Sequence, residues 1–272
     1  MHGCGNDYVY VDCTIQLIED IPGTAIKVSD RHYGIGSDGL ILIRPSDKAD
    51  FMMDMYNQDG SRSQMCGNGI RCVAKYVYDY KLTDKKQILV ETLAGIKTLD
   101  LTVEDDEVTF VTVDMGAPIL ESALIPVISP KDRVVDEPIK VGDKVYNITC
   151  VSMGNPHAVV FVDDTKNLPI ETIGPLFENH EIFPERVNTE FIHVIDKHHI
   201  EMRVWERGSG ETLACGTGAC ASVVACVLNG LTENEVTVSL LGGEIKILYD
   251  ETKKTVFMTG PAVKVFDGEI NL

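Results

Sequence analysis

The sequence predicts an α+β protein made of two pseudo-symmetric halves, each a curved or barrel-like, mostly antiparallel sheet wrapped round a central helix. Three observations predict it. First, a Cys-Gly-x-Gly turn occurs twice, at Cys66-Gly67-Asn68-Gly69 and Cys215-Gly216-Thr217-Gly218, with the cysteines 149 residues apart (215 − 66). Each turn is followed by apolar residues at helical spacing: Ile70, Val73, Ala74 and Val77, then Cys220, Val223, Val224 and Val227. Second, short runs rich in β-branched residues and bounded by Gly, Pro, Asn and Asp surround both turns. Third, the run from Ala219 to Leu228 is apolar all round, so that helix must be buried on every side. Few other helices are in the pattern, which leaves sheet to cover it.

In chain order, Met1 to Asp7 is loop-like and Tyr8–Asp12 reads as a strand, followed by a short helix at Ala25–Asp30. Gly34-Ile35-Gly36-Ser37-Asp38-Gly39 matches the dinucleotide pattern Gly-x-Gly-x-x-Gly, but a strand, Leu40–Ile43, follows where the fingerprint needs a helix, so that reading is rejected. Strand Phe51–Tyr56, the turn Asn57–Ser61, and the first cysteine turn with its helix to about Tyr80 come next. Strands are expected at Ile88–Thr92, Ile96–Val103 and Val108–Val113. Gly116-Ala117-Pro118 breaks the pattern and divides a half 1–117 from a half 118–261, with a final strand at about 262–272 expected to return to the first half. Pro126, Pro130 and Pro138, with charges between them, read as an exposed connection. The second half then repeats the first: strands Val145–Ser152 and His157–Val162, a helix at Ile170–Asn179, and strands Thr189–Ile195 and Ile200–Trp205. The loop Glu206–Gly210 leads to the second cysteine turn and its helix, and strands Val236–Leu240, Ile245–Tyr249 and Thr255–Met258 close the pattern.

A net charge of −18 over 272 residues argues against nucleic acid or an anionic membrane as partner, since either selects a basic surface. The eight cysteines form no Cys-x-x-Cys pair, which disfavours a zinc ribbon or thioredoxin-like motif. No basic-then-apolar leader opens the chain, and the uncharged run Thr212–Asn229 is too rich in Gly, Cys and Ser for a membrane span. A cytoplasmic location with free thiols is the expectation.

Each cysteine stands where a loop enters a helix. A thiol there meets the positive end of the helix dipole and unpaired backbone N–H groups, an environment that lowers a cysteine pKa from about 8.5 to roughly 3.5–7.5. Two copies of the turn point to two acid/base groups acting on one substrate. A thiolate on one face removes a proton from carbon and a thiol on the other face returns one, inverting the stereocentre. A carboxylate beside that carbon would sit at two helix N-termini, where its developing charge is stabilised. This chemistry needs no electron-sink cofactor, no cofactor motif is visible, and no metal set is expected.

The sequence resembles the diaminopimelate epimerase family. The matching stretches are Met1-His2-Gly3-Cys4-Gly5-Asn6-Asp7, Asp30-Arg31-His32 with the following glycines, Asn57–Ser61, the Cys66 turn, Gly154-Asn155-Pro156-His157, Arg186-Val187-Asn188, and Trp205–Thr212 running into the Cys215 turn. The resemblance covers the chain nearly end to end. It implies the diaminopimelate epimerase-like fold and a cofactor-independent isomerase interconverting LL- and meso-diaminopimelate, in lysine and cell-wall precursor biosynthesis. It implies that Cys66 and Cys215 are the two catalytic bases, and that Gly67, Asn68, Gly216 and Thr217 cradle the reacting carboxylate through their backbone. Asn6, Asn57, Asn155, Asn188 and Arg207 match positions that hold the distal end of the substrate. Glu206 matches a residue near the reacting amine, and His157 a neighbour of the site without an assigned role. A homodimer is the assembly it implies.

Arg207 suits a carboxylate grip, because its guanidinium offers two parallel hydrogen bonds, and asparagine offers both donors and an acceptor. Two departures stand out. Relatives carry a few residues ahead of the Met-His-Gly stretch that form a first strand, which is expected here to be shortened or absent. A glutamine often stands where this chain has Gly39, so a substrate contact is expected to be missing there. The nearest alternative is a proline or hydroxyproline racemase-type isomerase, which would not need the asparagine set with Arg207. A thiol-based redox or metal-binding protein is the alternative from another class. The remaining cysteines, Cys4, Cys13, Cys72, Cys150, Cys220 and Cys226, are read as small core residues.

Overall fold

The computed structural model describes residues 1–272. The chain divides into two units, one of Met1–Asp114 with Thr259–Leu272 and one of Met115–Met258.

In chain order, the first unit carries β1 (His2–Gly3), β2 (Asn6–Asp7), β3 (Val9–Asp12), α1 (Ile21–Ser29), β4 (Gly39–Arg44), β5 (Phe51–Asn57), β6 (Arg62–Ser63), α2 (Gly67–Asp79), β7 (Gln87–Thr92) and β8 (Gly95–Glu104). β9 (Glu107–Gly116) takes the chain out of it. The strands line up in the order β3-β4-β5-β7-β8-β9. Two neighbouring pairs, β3–β4 and β5–β7, are parallel and the others antiparallel. Parallel neighbours need a crossover, and α1 and α2 supply the two. β4 is buried over all but its last residue, as expected of a strand covered on both faces. α1 starts where the Asp20 carboxylate accepts from Gly23 N at 3.0 Å, with Pro22 in its first turn. α2 buries Ile70, Cys72, Val73, Ala74 and Val77 completely.

The second unit begins with a single 3₁₀ turn at Ser122–Leu124, then β10 (Glu137–Val141), β11 (Lys144–Ser152), β12 (Pro156–Phe161), α3 (Ile170–Glu178), β13 (Asn188–Asp196), β14 (His199–Glu206), β15 (Gly210–Glu211), α4 (Gly216–Leu228), β16 (Glu235–Leu240) and β17 (Gly243–Asp250). β18 (Thr255–Pro261) carries the chain back. The strand order is β10-β11-β12-β13-β14-β16-β17, with β12–β13 and β14–β16 parallel across α3 and α4. α4 packs on β11, β12, β13 and β17, strands from both ends of that row, so the sheet closes round the helix. Every residue from Ala219 to Cys226 is fully buried, which meets the demand of an all-apolar helix.

The order of parallel and antiparallel pairings from β3 to β8 recurs from β12 to β17, so the duplication read from the two cysteine turns extends to the topology. The α+β, mostly antiparallel arrangement is the one expected. Two expectations need correction. The proline-rich segment is not simply an exposed connection: Ile125, Val127 and Val134 join the core with Val141 and Phe177. β10 forms there despite Pro138 because it is an edge strand bonded only to β11, where a missing N–H is tolerated. Residues 262–272 form no strand. One antiparallel bridge between Val263 and His2, the Tyr80–Asp267 hydrogen bond and Lys27 Nζ donating to Asn271 O at 3.0 Å hold them, and the segment from Val263 onward is exposed and interrupted by Asp267-Gly268, residues that disfavour a strand. No helix is long and apolar enough to cross a membrane.

Candidate active site

In the first unit, β6 delivers the chain to Cys66, the N-cap of α2. The residue is extended (φ −130°, ψ 120°) and its sulfur accepts from Gly69 N at 3.3 Å. The thiol also donates to Asn6 Oδ1 at 3.2 Å, and Asn6 Nδ2 donates to Asp38 Oδ2 at 2.7 Å. Asn6 reaches the sulfur because Cys4 and Gly5 both adopt positive φ (52° and 82°), the tight turn that joins β1 to β2. Tyr8 completes this corner: burial, then the nearby Cys66, push its phenol well above the usual range, so it stays protonated as a donor.

Gly67 and Asn68 are the first helical positions of α2, whose N–H groups point out of the helix end. Behind them lies Arg71, fully buried, which donates to Gly67 O at 3.2 Å, Asn68 Oδ1 at 2.9 Å and Pro261 O at 3.1 Å. Asn57 closes its own turn, donating from Nδ2 to Ser61 Oγ at 3.0 Å. Gly39 opens β4 against Asn57. A Cβ there would lie 2.2 Å from Tyr56 O and 2.9 Å from the Tyr8 ring, so this backbone leaves no room for a side chain.

The second unit builds the same corner with different side chains. Cys215 caps α4 (φ −116°, ψ 109°) and accepts from Gly218 N at 3.3 Å, with Thr217 Oγ1 at 3.5 Å. Gly216 and Thr217 are the first helical positions. At the place of Asn6 and Tyr8 stand Asn155 and His157, at the same 149-residue separation. His157 Nε2 lies 3.0 Å from Asn155 Oδ1 and its Nδ1 2.7 Å from Glu190 Oε1. Asn188 is used at both ends, donating to Pro156 O at 2.8 Å and accepting from Arg207 N at 2.9 Å. The Arg207 guanidinium donates to Glu185 O at 2.8 Å. Glu206 accepts from Thr212 Oγ1. Glu178 braces the loop, taking Gly208 N at 2.9 Å and Trp205 Nε1 at 2.8 Å.

The expectation of acidic thiols at both helix ends does not hold at Cys215. Burial, and then the carboxylates of Glu206 and Glu190, push this thiol well above its ordinary value, against the smaller pull of Thr217 and Gly218 N. The helix end supplies partial charges, whereas desolvation and two carboxylates act on the full thiolate charge. Cys215 therefore rests as a thiol.

Each unit thus gathers its own share of the candidate residues: Asn6, Asn57, Cys66, Gly67 and Asn68 in the first, and Asn155, His157, Asn188, Glu206, Arg207, Cys215, Gly216 and Thr217 in the second. Sequence reasoning passed over Tyr8, Arg71, Glu178 and Glu190. For Glu190 a signal existed, a carboxylate directly ahead of the apolar pair Phe191-Ile192 in a strand. Glu178 had none, because its partners are distant in the chain.

The diaminopimelate epimerase family model matches residues 1–121 and 149–265. The diaminopimelate epimerase of Agathobacter rectalis is 60% identical, covering 100% of this chain and 98% of the relative. That of Acetivibrio thermocellus is 58% identical, covering 100% and 97%. Among solved structures, a probable proline racemase from Agrobacterium radiobacter K84 superposes with a TM-score of 0.70 at 14% identity, covering 100% of this chain and 91% of that one. A PhzF-family phenazine biosynthesis protein of Bacillus anthracis gives 0.69 at 19% identity, covering 100% and 95%. These structural likenesses establish the fold alone, including the one to the racemase. The full-length identities go further: this chain belongs to the diaminopimelate epimerase family, a family of isomerases.

Proposed function

We propose that the protein interconverts LL- and meso-diaminopimelate by two-base proton transfer, in lysine and cell-wall precursor biosynthesis. The observation that carries this reading is the repeated cradle: in each unit a cysteine sulfur caps a helix, held by the amide of the glycine three residues on, 3.3 Å away. In the proposed reaction one sulfur, as thiolate, takes the α-proton, and the electron pair left on carbon spreads into the adjacent carboxylate. The other sulfur, as thiol, gives its proton to the opposite face of that carbon. The stereocentre is inverted and the protonation states of the two cysteines are exchanged. Cys215, which rests as a thiol, enters as the donor. Cys66 takes the α-proton once its own thiol proton, which it donates to Asn6 Oδ1, has passed to solvent, and the reverse direction exchanges the two roles. The amides of Gly67, Asn68, Gly216 and Thr217 hold the reacting carboxylate as charge builds on it. Glu206 receives the reacting ammonium, while Asn6, Asn57, Asn155, Asn188 and Arg207 serve the distal end.

Incubation with LL-diaminopimelate in heavy water, followed by mass and chiral analysis, tests the reading. Deuterium is expected at the inverted α-carbon of the meso product. Inversion with retention of the original hydrogen, or no inversion at all, would overturn it.

A further inference from the structure

Each cysteine is reached through a two-strand hairpin, and each hairpin is crossed by one ion pair. In the first unit Arg62 on β6 meets Asp54 on β5, with Nε 2.7 Å from Oδ1. In the second, Glu211 on β15 meets Arg203 on β14, with Arg203 Nε 2.6 Å from Oε1 and Nη2 2.9 Å from Oε2. The two pairs stand at the same 149-residue separation as the cysteines, residue for residue, and their polarity is reversed. The registers are equivalent: Tyr56 is opposite Arg62, and Trp205 is opposite Glu211. In both hairpins the pair is the diagonal contact between a long strand anchored in the sheet and a two-residue strand that runs four residues later into the sulfur.

The anchored partner has further contacts of its own. Asp54 is 2% exposed and also receives Arg44, 3.3 Å away. Arg203 donates to Thr165 O at 2.9 Å and Leu168 O at 3.0 Å besides meeting Glu211. Two residues of pairing are too few to fix the position of a strand by backbone bonds alone, so the side-chain pair supplies the missing constraint. Retention of the contact in both halves, with its charges exchanged, points to geometry as what it supplies.

We propose that Asp54–Arg62 and Arg203–Glu211 are the positioning pairs of the two cysteine cradles, each fixing the sulfur of its own half. The kinetic part of this proposal rests on the epimerase reading, but the thiol part does not. The test removes the outer partner, Arg62→Gln or Glu211→Gln, which leaves the contacts of Asp54 with Arg44 and of Arg203 with the two carbonyls in place. Iodoacetamide labelling of the intact protein, mapped peptide by peptide, reads each sulfur separately. R62Q is expected to change the labelling rate of Cys66 at least threefold and leave Cys215 within twofold of the parent, and E211Q to do the converse. With diaminopimelate, each is expected to lower kcat about tenfold at nearly unchanged KM, since a small misplacement of a reacting group is costly. R62K, which keeps the charge, is expected to recover most of both readouts, and it serves if the glutamine variants fail to fold. Labelling of both sulfurs as in the parent, or R62K no better than R62Q, would overturn the proposal. Half-specific labelling changes in a protein that inverts no diaminopimelate would uphold the positioning pairs and reject the epimerase reading alone.

Discussion

His157 Nδ1 lies 2.7 Å from Glu190 Oε1, and both side chains are completely buried. The second carboxylate oxygen, Oε2, has no hydrogen-bond partner. A buried carboxylate with one strong partner is held there by that partner, and removing either group leaves the other uncompensated. The pair ties β12 to β13 directly beneath the first turn of α4, where Glu190 also acts on Cys215.

Glu190→Ala is therefore expected to destabilise the protein by about 3–5 kcal/mol. Glu190→Gln keeps the volume and one acceptor, and is expected to cost less, about 1–2 kcal/mol. Urea unfolding of the two variants checks this. Equal, small losses would mean that the contact carries no such weight.

Cys66→Ala and Cys215→Ala are each expected to lower epimerisation at least about a thousandfold, since each removes one of two proton carriers. Both sulfurs sit at helix ends rather than mid-core, and loss of an N-cap costs about 1 kcal/mol, so the fold is expected to survive. Circular dichroism and turnover of the same samples separate the two effects. More than about a tenth of parent activity in either variant would contradict the two-base scheme.

Stability is expected to fall as pH rises above about 9. Burial raises the thiols of Cys4, Cys13, Cys72, Cys150 and Cys226, and Cys226 is pushed from 9.0 to about 12. The folded state then holds protons that the unfolded state releases. The contribution is fully present below the unfolded value of 9.0 and, for Cys226, is lost as pH climbs toward about 12. Each such group adds a slope of about −1.4 kcal/mol per pH unit in that window. Denaturant midpoints measured between pH 8 and about 11 should show the decline, and a Cys226→Ala variant should decline less steeply. A flat profile would contradict the burial of these thiols.

The two cysteine turns and the strands around them were legible because periodicity and turn composition are local signals. The all-apolar run from Ala219 correctly demanded a wrapping sheet. β10 was not legible, because Pro138 argues against a strand wherever the strand order is unknown, and only an edge position excuses it. The raised Cys215 thiol was hidden for a related reason. The helix N-terminus is visible in the sequence, but Glu190 comes from a neighbouring strand and acts through space. Arg71 carries no local signal of burial. Its burial is matched by oxygen acceptors on Gly67, Asn68 and Pro261, the last at the far end of the chain, and by Cys4 Sγ.

The glycines three residues after the two cysteines give the last prediction. A Cβ on Gly218 would lie 2.6 Å from Glu190 Oε1 and 3.1 Å from Cys215 Sγ. Glu190 is pinned by His157, so neither neighbour can withdraw without breaking a contact. A Cβ on Gly69 would meet Ile41 Cδ1 at 2.6 Å and Met53 Cε at 3.2 Å, both free ends of apolar side chains that can rotate away. Gly218→Ala is therefore expected to cost about 2–3 kcal/mol, and Gly69→Ala about 1 kcal/mol or less. Because the Gly218 Cβ also crowds the sulfur, kcat of Gly218→Ala should drop at least about tenfold even where the protein is fully folded. Thermal unfolding and turnover of the two variants, side by side, check both the order and the split. Equal costs in the two halves would show that the Glu190–His157 contact does not hold its carboxylate against Gly218.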